Sequence, residues 1–428
     1  MHGVYSLMGY QLQNKKFSMN DSSVPIPIMG QHHFFAPCPR GLEPVLVKEL
    51  EQIGASSIQS ADGGVKFQGD WMTCYRTNLQ SRIASRVLWQ IASQPYRSEE
   101  DIYKATHGLP WTDWFKPSLT VRVNVAAIKC PLRSLDFVTL KIKDALCDKF
   151  RESTGIRPSV NTSQPDIRIH AFLDAHRFTL YLDTSGDALF KRGLRKAAGE
   201  APLRENLAAG ILHLSGWSPG IPLLDPMCGS GTFLLEAAQM ALNIAPGSHR
   251  SFAFERFNHF DPKGWIRLKK EASDQERPHT PQPIFGSDLY GDALSDARTN
   301  LVAAGLSDLV SLKQANFAEV SAPAPNGVLV TNPPYGVRIG DQQQLEGLYP
   351  LLGDTLKKRF AGWNAYILTA DPMLPKLIRL TASRRTPLFN GALECRLLEY
   401  KMVLGGLRKV RPGNDPKSPE RPQDEDPL

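Results

Sequence analysis

Two hydrophobic rhythms alternate along this chain, one with apolar residues three and four apart and one of short apolar or alternating runs. On the N-terminal side, residues 34–36 predict a short strand. Residues 41–53 predict an amphipathic helix, with Leu42, Val45, Leu46, Glu49, Leu50 and Ile53 at helical spacing and Gly54 to close it. Residues 57–59 and 65–68 read as a pair of strands about Gly63-Gly64. Asp70 caps a further helix, expected to run through Tyr75, Leu79, Ile83, Ala84 and Leu88. An aromatic turn at 111–115, a strand at 119–126, a helix at 137–150 and strands at 166–173 and 177–183 complete an α+β unit.

The second half changes character. Buried-type strands at 221–225, 283–288, 309–316 and 327–331 alternate with helices at 233–241, 292–304 and 345–360, and Pro350 is expected to kink the last. Later strands are predicted at 364–369 and 397–403. This is an α/β pattern. Residues 245–282 break it with prolines and basic residues, and read as a loop-rich insertion near the substrate mouth. Residues 1–32 are polar and lack an apolar core, so they are expected to be a disordered extension, with Met19 and Met29 as alternative starts. Residues 408–428 are Pro-rich and charged, and are expected to be disordered.

At 428 residues the chain is long enough for two or three domains. A net charge of +7 is consistent with a polyanionic partner. Six scattered cysteines form no C-x-x-C pair and have no histidine at ligand spacing, which argues for reduced thiols, a cytoplasmic setting and no metal site. No run of eighteen apolar residues is present to span a membrane.

The chemistry gathers at two stretches. The strand 327–331 runs into Asn332-Pro333-Pro334-Tyr335. Two prolines cannot continue a sheet ladder, so the chain leaves the strand in a stiff, extended turn. That turn fixes the Asn332 side-chain carbonyl, the Pro333 backbone carbonyl and the Tyr335 ring. Two acceptors beside an aromatic face suit a planar base with an exocyclic amino group. A strand-end turn with a packed tyrosine is the competing reading. Upstream, Asp225-Pro226-Met227-Cys228-Gly229-Ser230-Gly231-Thr232 joins an apolar strand to an Ala- and Leu-rich helix. Its glycines permit close approach to a ligand, yet no lysine follows them as a phosphate-cradling P-loop requires. Asp225 is suited to face the amino group of a zwitterionic ligand. Asp288, ending the next strand, is suited to a pair of ribose hydroxyls or to capping the following helix.

In this order, these stretches resemble the class I S-adenosylmethionine-dependent methyltransferases that act on amino nitrogens. The N-terminal half resembles the ferredoxin-like part and THUMP RNA-binding module of one branch, carried by Ala36-Pro37-Cys38-Pro39-Arg40-Gly41-Leu42-Glu43 and by the stretch from Leu182 to Arg195. The likeness is strongest to bacterial large-subunit rRNA guanine-N2 methyltransferases with a THUMP domain. A second methyltransferase module follows in the best-known members, and this chain ends where it would begin, so only the guanine-N2 activity is carried over. The resemblance implies a ferredoxin-like part at 33–72, THUMP at 73–186 and a Rossmann-like domain at 187–407. It implies S-adenosylmethionine as cofactor, with Asp225, Pro226, Cys228, Gly229, Gly231, Thr232, Asp288, Asn316 and Asn332 in its site. Asn316 stands where the family usually has aspartate. Asn332, Pro333, Pro334 and Tyr335 would hold the target base, and ribosomal RNA or a pre-ribosomal particle would be the partner. The basic cluster Lys191, Arg192, Arg195 and Lys196 would touch RNA; a merely solvated face is the alternative. An adenine-N6 methyltransferase would use the same Asn-Pro-Pro-Tyr geometry, and a non-catalytic RNA-binding assembly protein is the third reading.

Overall fold

A computed structural model of the chain describes residues 30–193, 196, 203–334 and 341–403, with backbone only for 341–346. Arg195, Tyr335, most of the N-terminal extension and the C-terminal tail lie outside the described residues. Two compact units form. Residues 30–193 join 204–210 and 242–278 in the first; residues 211–241, 279–334 and 341–403 build the second, together with Lys196 and Leu203.

The first unit begins with β1 (His32–Pro37), α1 (Glu43–Ile53), β2 (Ser56–Ala61), β3 (Gly64–Gly69), α2 (Trp71–Gln80) and β4 (Leu88–Pro95). It continues with α3 (Glu99–His107), α4 (Trp111–Trp114), β5 (Val121–Ala127), α5 (Leu135–Thr154), β6 (Ile167–Leu173) and β7 (Arg177–Asp183). The strands make one sheet in the order β2-β3-β1-β4-β7-β6-β5, antiparallel except for the parallel pair β5 and β6. Helix starts follow the expected chemistry: the Asp70 carboxylate accepts the Thr73 N–H at 2.7 Å at the head of α2.

The structure corrects the reach of that helix. It stops at Gln80, and Leu88 begins β4, a strand that periodicity alone hid. The cause is long-range. The buried Glu49 carboxylate on α1 accepts from the Ser81 hydroxyl and from the backbone N–H groups of Arg82 and Ile83, which pulls the chain off the helix axis.

The chain then runs through α6 (Glu205–Leu214), β8 (Leu223–Asp225), α7 (Thr232–Ala241), α8 (Pro262–Asp274), β9 (Ile284–Asp288), α9 (Gly291–Ala303) and β10 (Val310–Gln314). It ends with β11 (Gly327–Thr331), α10 (Asp341–Arg359), β12 (Trp363–Thr369), α11 (Leu374–Leu377), β13 (Arg384–Asn390) and β14 (Leu393–Lys401). The second unit's sheet has the order β10-β9-β8-β11-β12-β14-β13, with β8 to β12 parallel and the β14 and β13 pairings antiparallel. β13 escaped the sequence reading because it is a polar edge strand carrying Pro387, a residue tolerated only at such an edge. Leu329, Ile367 and Leu398 from the sheet pack with Leu352, Leu356 and Phe360 of α10 and its end, and with Trp363, in one apolar core.

The expectation of a loop-rich insertion at 245–282 also needs correction. Residues 242–278 carry α8 and a short 3-10 turn (Ala253–Arg256), and their aromatics belong to the first unit's core. Phe254 stacks on Tyr75 with ring centroids 4.4 Å apart, and His259 lies 4.1 Å from the Trp71 ring.

Candidate active site

In the second sheet β8 lies between β9 and β11. The chain builds outward from β8 through β9 and β10, then returns to its other side at β11. A crevice opens at the carboxyl ends of strands where the order reverses like this. Registry brings the candidate groups to that edge: Leu224 pairs with Leu329, Asp225 with Gly286, and Asp288 with Gln314. Asp225, Asp288 and Asn332 therefore end three neighbouring strands.

The turn after β8 is held by its own backbone. The Cys228 N–H donates to the Ser287 carbonyl at 3.0 Å, and the Gly231 N–H donates to the Cys228 carbonyl at 2.8 Å. Gly229 and Gly231 have φ of 51° and 80°, the left-handed region that favours glycine. At Gly231 a Cβ would also come within 3.2 Å of the Ala297 Cβ, so glycine lets α9 close onto the turn. Pro226 is buried, and its carbonyl accepts from the Ser287 hydroxyl at 3.4 Å. Thr232, buried, begins α7.

Asp288 settles into a role of its own. One carboxylate oxygen accepts the Gly229 N–H at 2.9 Å, and the other accepts the Tyr290 N–H at 3.1 Å. It ties the Gly-rich turn to the end of β9 and is not the cap of α9, whose N-cap position is Tyr290. Asp225 is 2% exposed and receives the Met227 N–H at 3.3 Å. No cation lies against it among the described residues. Burial pushes its pKa up to about 8, with Asp288 adding like-charge repulsion. Burial also drives the Cys228 thiol far up, helped by the Asp225 and Asp288 charges. Cys228 is thus an uncharged, unreactive thiol whose backbone serves the turn.

Asn332 follows β11 half-buried, with Pro333 buried and Pro334 exposed. Asn316 falls beyond β10 as an exposed residue, and its side-chain carbonyl accepts the Ala318 N–H at 3.0 Å to cap a short 3-10 turn. One positioning residue escaped the sequence reading. Asn300 of α9 is fully buried; its amide donates to the Ser230 carbonyl at 3.0 Å, and its carbonyl accepts the Lys196 N–H at 2.8 Å. The available signal was an amide on the same helical face as Leu294, Ala297 and Leu301.

The basic cluster divides. Lys191 and Lys196 are exposed. Arg192 is a correction: it is 3% exposed, and its guanidinium donates to the carbonyls of Leu189 at 3.1 Å and Arg82 at 3.0 Å. It is an interior brace and not a surface cation.

Comparison with known proteins matches three families in chain order. Residues 33–88 match the RlmL ferredoxin-like domain, 96–183 the THUMP domain, and 192–399 the RMKL-like methyltransferase domain. A Synechocystis sp. protein named as an RNA methyltransferase is 39% identical over 370 residues, which cover 86% of this chain and 96% of that one. The ribosomal RNA large subunit methyltransferase K/L of Photobacterium profundum is 40% identical over 88% of this chain, but the match takes in 54% of its own length. The chain thus spans about half the length of the K/L relatives it matches. A crystal structure of SMU.472, described as a methyltransferase complexed with SAH, superposes with a TM-score of 0.78 at 33% identity, over 87% of this chain and 98% of that one. With the Synechocystis protein matched over nearly its whole length, the chain belongs to the THUMP-domain RNA methyltransferases with an RMKL-like catalytic domain.

Proposed function

We propose that this protein methylates the exocyclic N2 of a guanine in large-subunit ribosomal RNA, with S-adenosylmethionine as donor. The observation that carries the reading is a pairing at one sheet edge. Asp225, a buried acid with no cation against it among the described residues, ends the strand beside the one that delivers the rigid Asn332-Pro333-Pro334 turn.

The residues present fit the cofactor. Asp225 lacks only a cation, which the amino group of a methionine moiety would provide. The Gly229 and Gly231 turn leaves room for close approach of an adenosine, and Asp288 faces the same turn with lone pairs to spare for ribose hydroxyls. Bound there, the cofactor supplies an electrophilic methyl group. The chain's own part is positioning. The guanine amino lone pair is delocalised into the ring and is a poor nucleophile. By accepting its two N–H bonds, the Asn332 side-chain carbonyl and the Pro333 carbonyl favour a more tetrahedral nitrogen and aim its lone pair at the cofactor side of the crevice. Such alignment can supply most of the acceleration. No strong base is needed, since the methylated nitrogen is acidic enough to release a proton to water. The base must first leave its helix, and Tyr335 is the residue proposed to stack on it.

The THUMP match and the K/L relatives' names support large-subunit RNA as the substrate; whether naked or in a pre-ribosomal particle, the same pocket would serve. A cytoplasmic setting is part of the proposal, supported by six free thiols and by the absence, among the described residues, of any helix long and apolar enough to cross a membrane. The test is mass analysis of nucleosides from large-subunit rRNA treated with the purified chain and isotope-labelled cofactor. N2-methylguanosine is expected. N6-methyladenosine would shift the reading to adenine, which the same Asn-Pro-Pro geometry accommodates, and no methylated nucleoside would sink catalysis altogether.

A further inference from the structure

Away from the strand-end crevice, the first unit contains an open cleft of about 740 Å³. Three stretches distant in sequence build it: the start of β6, the turn after β7, and residues 249–256. The turn after β7 is fixed from behind the lining by Asp183, fully buried, whose carboxylate accepts the N–H groups of Ser185 and Gly186 and pairs with Arg86. Arg250 then clasps the turn from the other side. Its guanidinium donates to the carbonyls of Ser185, Asp187, Ala188 and Lys191, at 3.3, 2.6, 2.7 and 3.3 Å. It makes no ion pair among the described residues. Carbonyls accept from its two terminal nitrogens without cancelling its charge.

The walls repeat the imbalance. Arg168 reaches Asp187 at 3.3 Å, and Arg256 reaches Asp166 at 3.6 Å, so both carboxylates of the cleft are already engaged. Lys191 and His249 stand on the rim, and neither side chain has an ion-pair partner among the described residues. Among the described residues four permanent cations thus face two carboxylates, and the apolar side chains lining the cleft are those of Pro165, Phe252 and Ala253. Pockets for small organic ligands are mostly apolar, which this one is not. Among the described residues no exposed aromatic ring lines it, so none of them offers a base a stacking surface. A polar, cation-rich channel without stacking rings suits a phosphodiester backbone.

We propose that this cleft grips the phosphate backbone of the RNA substrate, independently of sequence. The proposal rests on the RNA methyltransferase reading and gives that enzyme a second hold on RNA, apart from the base pocket. The grip is composite. Arg168 comes from the THUMP match and residues 249–256 from within the methyltransferase match, yet both belong to one compact unit.

The test uses the full chain, a 23S rRNA transcript and a salt series. Removing one cation that pairs with a phosphate should flatten the plot of log affinity against log salt by about 0.7–0.9, and Lys191→Ala with Arg256→Ala by about twice that. Lys66→Ala, exposed on β3 and outside the cleft, should keep the parental slope. An unrelated RNA should compete for the component that the double variant lacks, and cofactor affinity by calorimetry should not move. If the double variant melts early, the single exposed change Lys191→Glu carries the test by the same readout. A double variant with parental affinity and slope, while the parental chain methylates RNA, overturns the cleft and leaves the enzyme reading intact. A parental chain that binds cofactor but no RNA overturns both.

Discussion

The role proposed for Asp225 predicts that cofactor binding is a proton-release reaction. Its carboxyl is held at about 8 by burial, so near neutral pH the empty site is mostly protonated. An ammonium group can be accommodated only once that proton leaves. If the ionised form alone binds, affinity near pH 7 should be about tenfold below its limit, and near pH 6 about a hundredfold below, because each unit of pKa is a factor of ten. An α-amino group itself begins to lose its proton at about 7.7–8.0, so affinity should peak near pH 8 and not rise further. Calorimetry in two buffers of different ionisation enthalpy checks this directly, with close to one proton released per cofactor bound near pH 6.5. Asp225→Asn should flatten the profile and bind weakly throughout. The sign for stability follows from the same shift. Between about pH 4 and about pH 8 the unfolded chain gives up this proton and the folded apo-protein keeps it, so Asp225 costs progressively more stability as pH rises across that window and no more above it. Saturating cofactor should remove that part of the slope. A dissociation constant that is flat from about pH 6 to 8, with no proton release, would refute an amino-group role for Asp225.

Asn332→Ala should lower turnover by about a hundredfold or more while leaving cofactor affinity near parental, since the role proposed for Asn332 is on the target amine; methyl transfer at the parental rate would discard that role. Asp288→Ala should raise the Michaelis constant for the cofactor about tenfold or more, because it also releases the Gly229 N–H that shapes the turn, and turnover should partly recover at high cofactor. An unmoved constant would take Asp288 out of the site. Arg192→Ala should lower stability by about 2–3 kcal/mol, leaving the carbonyls of Leu189 and Arg82 short of a donor, with an unaltered salt slope of RNA binding. A changed slope with an unchanged melting temperature would restore Arg192 to the RNA surface.

What could be read from the chain was whatever the backbone itself enforces. Two prolines after an apolar run must end a strand, and glycines between a strand and an Ala-rich helix must make a turn with left-handed φ; both outcomes are local. The errors came from partners far away in sequence. Ile83, Ala84 and Leu88 continue a helical period perfectly well, but the Glu49 carboxylate, over thirty residues upstream, takes the Arg82 and Ile83 amides, and the Pro37 carbonyl takes that of Ser85. Arg192 sits in a run of lysines and arginines that looks like a solvated face, yet the carbonyl of Arg82 claims its guanidinium. Asn300 showed in the sequence only as an amide on the apolar face of α9, because the Ser230 carbonyl it satisfies becomes visible only once α9 closes on the turn.

The segment 242–278 shows why family boundaries and packing boundaries part company here. By sequence it lies inside the methyltransferase match at 192–399. Physically it completes the first unit. Phe254 covers Tyr75, Trp265 lies edge-on to both Phe252 and Phe254, and His259 fills the space between Trp71 and Trp89. Burial pushes the His259 pKa down to about 4, so at neutral pH it packs as an uncharged ring. Polar bonds fasten the same seam: the Gly247 N–H donates to the Leu79 carbonyl at 2.9 Å, and Arg82 donates to the Ile244 carbonyl. Aromatic side chains of this size contribute more burial per residue than any others. The first unit's aromatic core therefore draws on residues that precede and follow β8 and α7 in the chain, and its folding cannot be finished until the Gly-rich turn of the second unit has already been synthesised. The order of residues in the chain thus makes one unit's core wait upon the other's motif, which no division into consecutive domains would express.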